Sequence, residues 1–228
     1  MPTLGTELNI LKRVLRLFMQ PFAIHPFITR PFIKRICCLF ILLGANSYGS
    51  TLLVLGDSLS AGYGINQESG WVALLDKDFG ENHSIINGSI SGDTTGGGLN
   101  RLPRLLEEFS PDFVLLELGG NDGLRGQPLN LMKNNLQAMI DLVRKAGAEP
   151  VLFGMRLPPN YGRRYSNAFA AVYPALSEAE NVLLIPFQLE ELSVTEGMIQ
   201  EDGLHPTALA QPIIKEVIKG YLAPLMNP

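Results

Sequence analysis

Cysteine, histidine and long apolar runs are all scarce in this chain. Of its 228 residues, two are cysteine and three are histidine. No Cys or His cluster has metal-ligand spacing, so neither a metal nor a cofactor is expected. The apolar run ICCLFILLGA at residues 36–45 is too short for a bilayer-spanning helix, which needs roughly 20 residues. Both cysteines, Cys37 and Cys38, lie at the start of that run. A lipid-attachment cysteine would have to follow it, so a lipoprotein is not expected.

Positive charge is also thin outside the N-terminus. Residues 1–35 hold Lys12, Arg13, Arg16, Arg30, Lys34 and Arg35 against one acid, Glu7, and the short apolar run follows. That order reads as an export signal. Small residues at 45–47 put cleavage after Ser47, giving a signal peptide at 1–47 and one domain at 48–228; initiation at Met19 and an uncleaved anchor are the alternatives. The expected location is periplasmic or secreted, with no stable membrane insertion once the signal is gone. Its removal takes six of the 18 basic residues and one of the 22 acidic ones, leaving a net charge of −9. Such a surface repels nucleic acid and polyphosphates. Both cysteines leave with the signal, so the domain must fold on its core alone, for which its length suffices.

Short apolar runs alternate with segments of helical period. Strands are expected at 51–56, 84–90, 113–119, 150–156 and 182–187, and helices near 70–79, 98–109, 130–146, 165–179 and 207–222. The strand runs are apolar on both faces rather than alternating, as in parallel strands covered on both sides. The expected fold class is therefore α/β: a doubly wound three-layer sandwich around a five-stranded parallel sheet of flavodoxin-like order 2-1-3-4-5.

Ligands of such sheets lie beyond the carboxyl ends of the strands. Ser58 follows the first strand in LLVLGDSLSAGYG, Gly92 follows the second in SISGDTTGGG, and Asn121 follows the third in LGGND. Asp57 and Ser58 either cap a helix or present Ser58 as a nucleophile at a strand-to-helix turn. A hydroxyl that attacks an ester carbonyl needs a base and oxyanion donors. Beyond residue 47 only His83 and His205 remain as histidine bases. His83 lies in a polar turn at the opposite end of the sheet from Ser58 and reads as surface decoration. His205 lies three residues after Asp202 in EDGLHPT, a spacing that lets the carboxylate accept from imidazole Nδ1 and leaves Nε2 toward a serine. A plain Asp-Gly turn is the competing reading. The Ser58 N–H, the Gly92 N–H and the Asn121 amide are candidate oxyanion donors; turn glycine and helix capping by Asn121 or Asp122 are the alternatives. The glycine-rich GDTTGGG lacks the Lys-Ser/Thr ending of a phosphate loop.

GDSL at 56–59, Gly92 in ISGDTT, GGND at 119–122 and DGLHP at 202–206 resemble the four sequence blocks of the SGNH, or GDSL, hydrolases. The resemblance implies Ser58 as nucleophile, His205 as general base and then acid, Asp202 as its orienter, and Ser58 N–H, Gly92 N–H and Asn121 as the oxyanion hole. It also implies a serine esterase acting through an acyl-enzyme on acyl esters, lysophospholipids and acyl thioesters. A carbohydrate O-deacetylase on the same triad and a catalytically silent binding domain are the alternatives. Leu124, Leu129, Leu157 and Pro158 either line an acyl groove or pack under their own loops. Arg125, Arg163 and Arg164 contact a head group or are solvated loop charge. The expected partner is a small acyl-ester or lipid substrate, with a monomer as the default.

Overall fold

The structure is a computed structural model that describes residues 49–187, 192 and 194–226. The chain divides between Ser47 and Tyr48 into two units, and the described residues all belong to the second. The expected signal segment, with Cys37 and Cys38, lies outside them.

Five parallel strands form one sheet in the order β2-β1-β3-β4-β5. They are β1 (Thr51–Gly56), β2 (Ser84–Asn87), β3 (Phe113–Glu117), β4 (Glu149–Phe153) and β5 (Leu183–Ile185). Leu52, Leu53, Val54 and Leu55 are all fully buried, as are Val114, Leu115 and Leu116 beside them. Burial of successive residues means that both faces of the sheet are covered, which is why these strands are apolar without alternation. Each such side chain contributes about 1.5–3 kcal/mol on leaving water.

The covering helices form two layers. Helix α2 (Trp71–Phe79) packs with the last helix, α7 (Gln211–Met226), on one face, while α3 (Thr95–Phe109), α5 (Leu129–Lys145) and α6 (Arg163–Glu180) pack side by side on the other. The two short helices, α1 (Ser58–Ala61) and α4 (Gly120–Leu124), follow β1 and β3 directly. Gln211 ties one layer together at its end: its buried side-chain Oε1 accepts from the Trp71 N–H at 3.0 Å.

The expected fold class is observed, with differences at element ends. The second strand closes at Asn87, because the Asn87 carboxamide turns back to accept from the Ser89 N–H. The last helix starts at Gln211 rather than near 207. Thr207 is drawn instead into a hairpin, where its N–H donates to the Met198 carbonyl and Pro206 bridges Ile199. Helix α3 starts three residues early, capped by Thr94 Oγ1 accepting from the Gly97 N–H at 3.2 Å. Among the described residues, no helix is long and apolar enough to cross a membrane.

Candidate active site

The order 2-1-3 puts the carboxyl ends of β2, β1 and β3 side by side, so the loops carrying Gly92, Ser58 and Asn121 converge on one cleft. Its volume is about 840 Å³, within the range of small-molecule sites. His205 reaches the same cleft from the hairpin before α7.

Asp57 and Ser58 satisfy both readings of their motif. Asp57 caps α1, its Oδ1 accepting from the Leu59 N–H at 3.1 Å. Ser58, the first residue of that helix, lies with Oγ 2.9 Å from His205 Nε2. On the far side of the imidazole, Nδ1 donates to Asp202 Oδ2 at 2.6 Å. A carboxylate can only accept, so the proton of the neutral ring sits on Nδ1 and Nε2 is left to accept from the hydroxyl. Asp202 is fixed in turn by its Oδ1, which accepts from the backbone N–H groups of Leu204 at 2.9 Å and His205 at 3.0 Å. The His205 N–H, the His205 ring and the Leu204 N–H together hold the Asp202 carboxyl down at about 2. It stays ionised wherever the imidazole needs it.

The three residues that carry the candidate donors, Ser58, Gly92 and Asn121, line the same cleft. Gly92 has φ +79, a left-handed backbone that disfavours side chains, whereas a Cβ there would meet nothing nearer than Arg125 Nη2 at 3.7 Å. Backbone conformation, not room, therefore selects glycine at this position. The Arg125 guanidinium donates to the Gly92 carbonyl at 2.9 Å, so this arginine braces the loop. Asn121 Nδ2 donates one hydrogen to Asp57 Oδ2 at 3.0 Å, and an amide nitrogen keeps a second for a substrate. Asp122 does not cap the next helix: it is fully buried and accepts from Thr95 N at 2.8 Å and Thr95 Oγ1 at 2.6 Å, which locks the Asn121 loop to the start of α3.

Beneath Ser58 lies a buried acid pair that the sequence reading missed. Glu117 ends β3, is 1 % exposed, and its Oε2 accepts from Ser60 Oγ at 2.5 Å and from the Asp57 N–H at 3.1 Å. Its other oxygen, Oε1, is buried with no hydrogen-bond partner among the described residues. Burial pushes both carboxyls up, Asp57 to about 6 and Glu117 well above the ordinary value, the latter also through the charge of Asp57. The available signal was their position, at the carboxyl ends of β1 and β3 on neighbouring strands.

Leu124, Leu157 and Pro158 border the cleft, together with Met155, Phe187 and Leu204. The strand-end rule would have found Met155 and Phe187, which follow β4 and β5. Leu129 is not among the lining residues and packs against the core. Arg163 and Arg164 border a separate shallow depression with Tyr161 and Tyr165. His83 is more than surface decoration: its Nδ1 accepts from the Ser50 N–H at 3.1 Å, and its ring packs edge-on against Phe79. Among the described residues no group of three or more His, Cys, Asp or Glu side chains could hold a metal ion.

A serine, an imidazole and a carboxylate in hydrogen-bonded line, at the carboxyl edge of a doubly wound parallel sheet, define a hydrolase-type site on an α/β sandwich. The chain belongs to the GDSL-like lipase/acylhydrolase family, whose profile matches residues 54–211. It is 50 % identical over 182 residues to an arylesterase of Vibrio mimicus, covering 78 % of this chain and 91 % of that one. It is 48 % identical over 177 residues to thioesterase 1/protease 1/lysophospholipase L1 of Escherichia coli K12, covering 78 % and 85 %. Among solved structures, the psychrotrophic esterase EstA from Pseudoalteromonas sp., inhibited by monoethylphosphonate, superposes with a TM-score of 0.75 at 42 % identity, covering 78 % of this chain and all of that one.

Proposed function

We propose that this chain is an exported serine esterase that cleaves acyl esters and thioesters through an acyl-enzyme on Ser58. The observation that carries the reading is the line from Ser58 Oγ through His205 to Asp202, with contacts of 2.9 and 2.6 Å, opening onto a largely apolar cleft. Ser58 Oγ attacks the acyl carbonyl while its proton passes to His205 Nε2. The oxyanion is held by the N–H groups of Ser58 and Gly92 and by the free hydrogen of Asn121 Nδ2. His205 then returns the proton to the departing alcohol or thiol, and water repeats the sequence to release the acid. Asp202 keeps the ring in the productive tautomer and faces the imidazolium as it forms.

The walls of the cleft favour an acyl chain over a sugar. Leu124, Met155, Leu157, Pro158 and Phe187 offer apolar contact beside Ser58, so fatty acyl, aryl and lysophospholipid esters are the substrates we assign, with a role in lipid metabolism. Export rests on the basic stretch and short apolar run before residue 47, and mass spectrometry of the exported protein should find its N-terminus within a few residues of Tyr48.

A fluorophosphonate tests the chemistry. Ser58 Oγ should form an O–P bond with loss of fluoride, placing the adduct on the peptide that carries Ser58. The Ser58→Ala variant should take no label and should lose at least about 10⁴-fold in kcat, as nucleophile removal does elsewhere, while its Tm stays close to that of the parent. Activity above about a hundredth of the parental level would return Ser58 to a capping role alone. A panel of esters from acetyl to long acyl separates the reading from a deacetylase, which would be fastest on acetyl.

A further inference from the structure

The triad is shared between two pieces of chain that are far apart in sequence. Ser58 opens α1, whereas Asp202 and His205 sit at the tip of a hairpin at 198–207. The hydrogen bonds that Asp202 accepts from Leu204 and His205 are internal to that tip, so they fix the imidazole relative to its own loop and not relative to Ser58. Something else must set the separation across the gap.

Gln200 spans it. Its Nε2 donates one hydrogen to the Tyr63 carbonyl at 2.8 Å and the other to the Pro206 carbonyl at 3.0 Å. Its backbone N–H donates to the His205 carbonyl at 2.8 Å. Tyr63 is rigidly tied to the nucleophile, since the Tyr63 N–H donates to the Ser58 carbonyl at 3.2 Å. One carboxamide is thus bonded to the turn that starts at Ser58 and to the residue that follows His205. The approach is close enough to restrict the neighbour: a Cβ on Gly64 would lie 2.3 Å from Gln200 Oε1. The Tyr63 ring completes the junction, with its centroid 4.4 Å from that of the His205 ring.

We infer that Gln200 is a positioning residue for the hydrolytic reaction, its side-chain amide holding the His205 hairpin at the distance from which Nε2 reaches Ser58 Oγ. It touches no reacting atom; it acts through the two loops it joins. The inference rests on the proposed triad. Proton transfer from Ser58 depends steeply on its separation from the base, and a misplacement of about 1 Å costs on the order of 10²-fold in rate. Substrate binding depends less on that separation: Gln200 and Leu204 border the cleft, but Leu124, Met155, Leu157, Pro158 and Phe187 line it from outside the hairpin.

The test uses Gln200→Met, which keeps length and volume but donates nothing, and Gln200→Glu, which keeps shape but turns an acceptor toward both carbonyls. Tyr63 is exposed, so water can bond its freed carbonyl, whereas Pro206 is buried, so the Tm of Gln200→Met should fall by about 2–12 °C. On a short soluble ester, kcat should fall about 10- to 100-fold with KM within threefold, and Gln200→Glu should fall at least as far. The decisive comparison is made with His205→Ala. In that background Gln200→Met should change the residual rate by less than threefold, since no base is left to position, whereas a general loosening of the fold would lower the rate in both backgrounds. Parental kcat in both Gln200 variants, or an equal loss with and without His205, overturns the inference. Ser58→Ala is run alongside: if it stays active, the triad itself is wrong, and if it is inactive while Gln200→Met is at parental level, only the role of Gln200 fails.

Discussion

Replacing Asn121 with alanine should damage catalysis and stability through one side chain, and the two effects should separate with pH. For catalysis, the lost Nδ2 hydrogen is one of the three proposed oxyanion donors, and removing such a donor costs about 10²–10³ in kcat, with a smaller change in KM because the charge exists only in the transition state. For stability, the other Nδ2 hydrogen is donated to Asp57 Oδ2 at 3.0 Å, and Asp57 is 2 % exposed. A buried carboxylate oxygen left without its donor costs about 1–3 kcal/mol, or about 2–12 °C in Tm for a domain of this size. The cost depends on the charge of Asp57. Burial raises its carboxyl from the ordinary 3.8 to about 6, and the Asn121 bond is among the contacts that oppose the rise. A group raised in the folded state contributes stability that is complete below the unfolded value and is lost as pH climbs through the folded one. Without Asn121 the folded value climbs further, so the variant should lose more stability than the parent between pH 5 and pH 8. Steady-state kinetics on a short soluble ester, with calorimetry at both pH values, measures both effects. A kcat within threefold of the parent would remove Asn121 from the oxyanion hole, and an equal Tm deficit at pH 5 and pH 8 would refute the coupling to Asp57.

Asp202→Asn should lower kcat by about 10⁴, because an amide presents a donor where Nδ1 needs an acceptor and so favours the wrong tautomer. The same change should flatten the Tm profile below pH 4. The Asp202 carboxyl is held at about 2 in the fold against 3.8 ordinarily, so its contribution is present above the ordinary value and is lost as pH falls through the lower one. Glu117→Gln should flatten the profile at the other end. Glu117 is raised by burial and by Asp57, so the parent loses its contribution as pH rises from about 4.5, and a neutral amide that still accepts from Ser60 Oγ does not. A Tm difference from the parent that is constant from pH 4.5 to pH 8 would show that Glu117 does not titrate there. His83→Gln should leave kcat and KM unchanged, since its bonds are to Ser50 and its ring packs on Phe79; a drop in kcat/KM would mean that the base had been misassigned.

The architecture was legible because its signals are local. Strands β1 and β3 are short runs of consecutive apolar residues, the pattern of strands in a sheet covered on both faces, and the alternation with helical periods then leaves few topologies. Ser58, Gly92 and Asn121 stood out as candidates for a related reason, since each sits just beyond a strand end, where the parallel order brings the loops together, and the Asp202-to-His205 spacing is itself local. Element ends were less legible, as Thr207 illustrates. Its helical pattern yields to a hairpin bond with Met198, and no periodicity encodes a competing long-range partner.

Chain order by itself thus determined the sheet, the layers and the identity of the candidate triad, since hydrophobic period and strand-end position are properties of neighbouring residues. Only the tertiary structure decided what supports that triad. Glu117 meets Asp57 across 60 residues, Asn121 meets Asp57 across 64, and Gln200 meets Tyr63 across 137. An acid at the end of a strand and a glutamine in a turn look ordinary in sequence. Their roles arise because packing removes water from one and brings a second loop within bonding distance of the other.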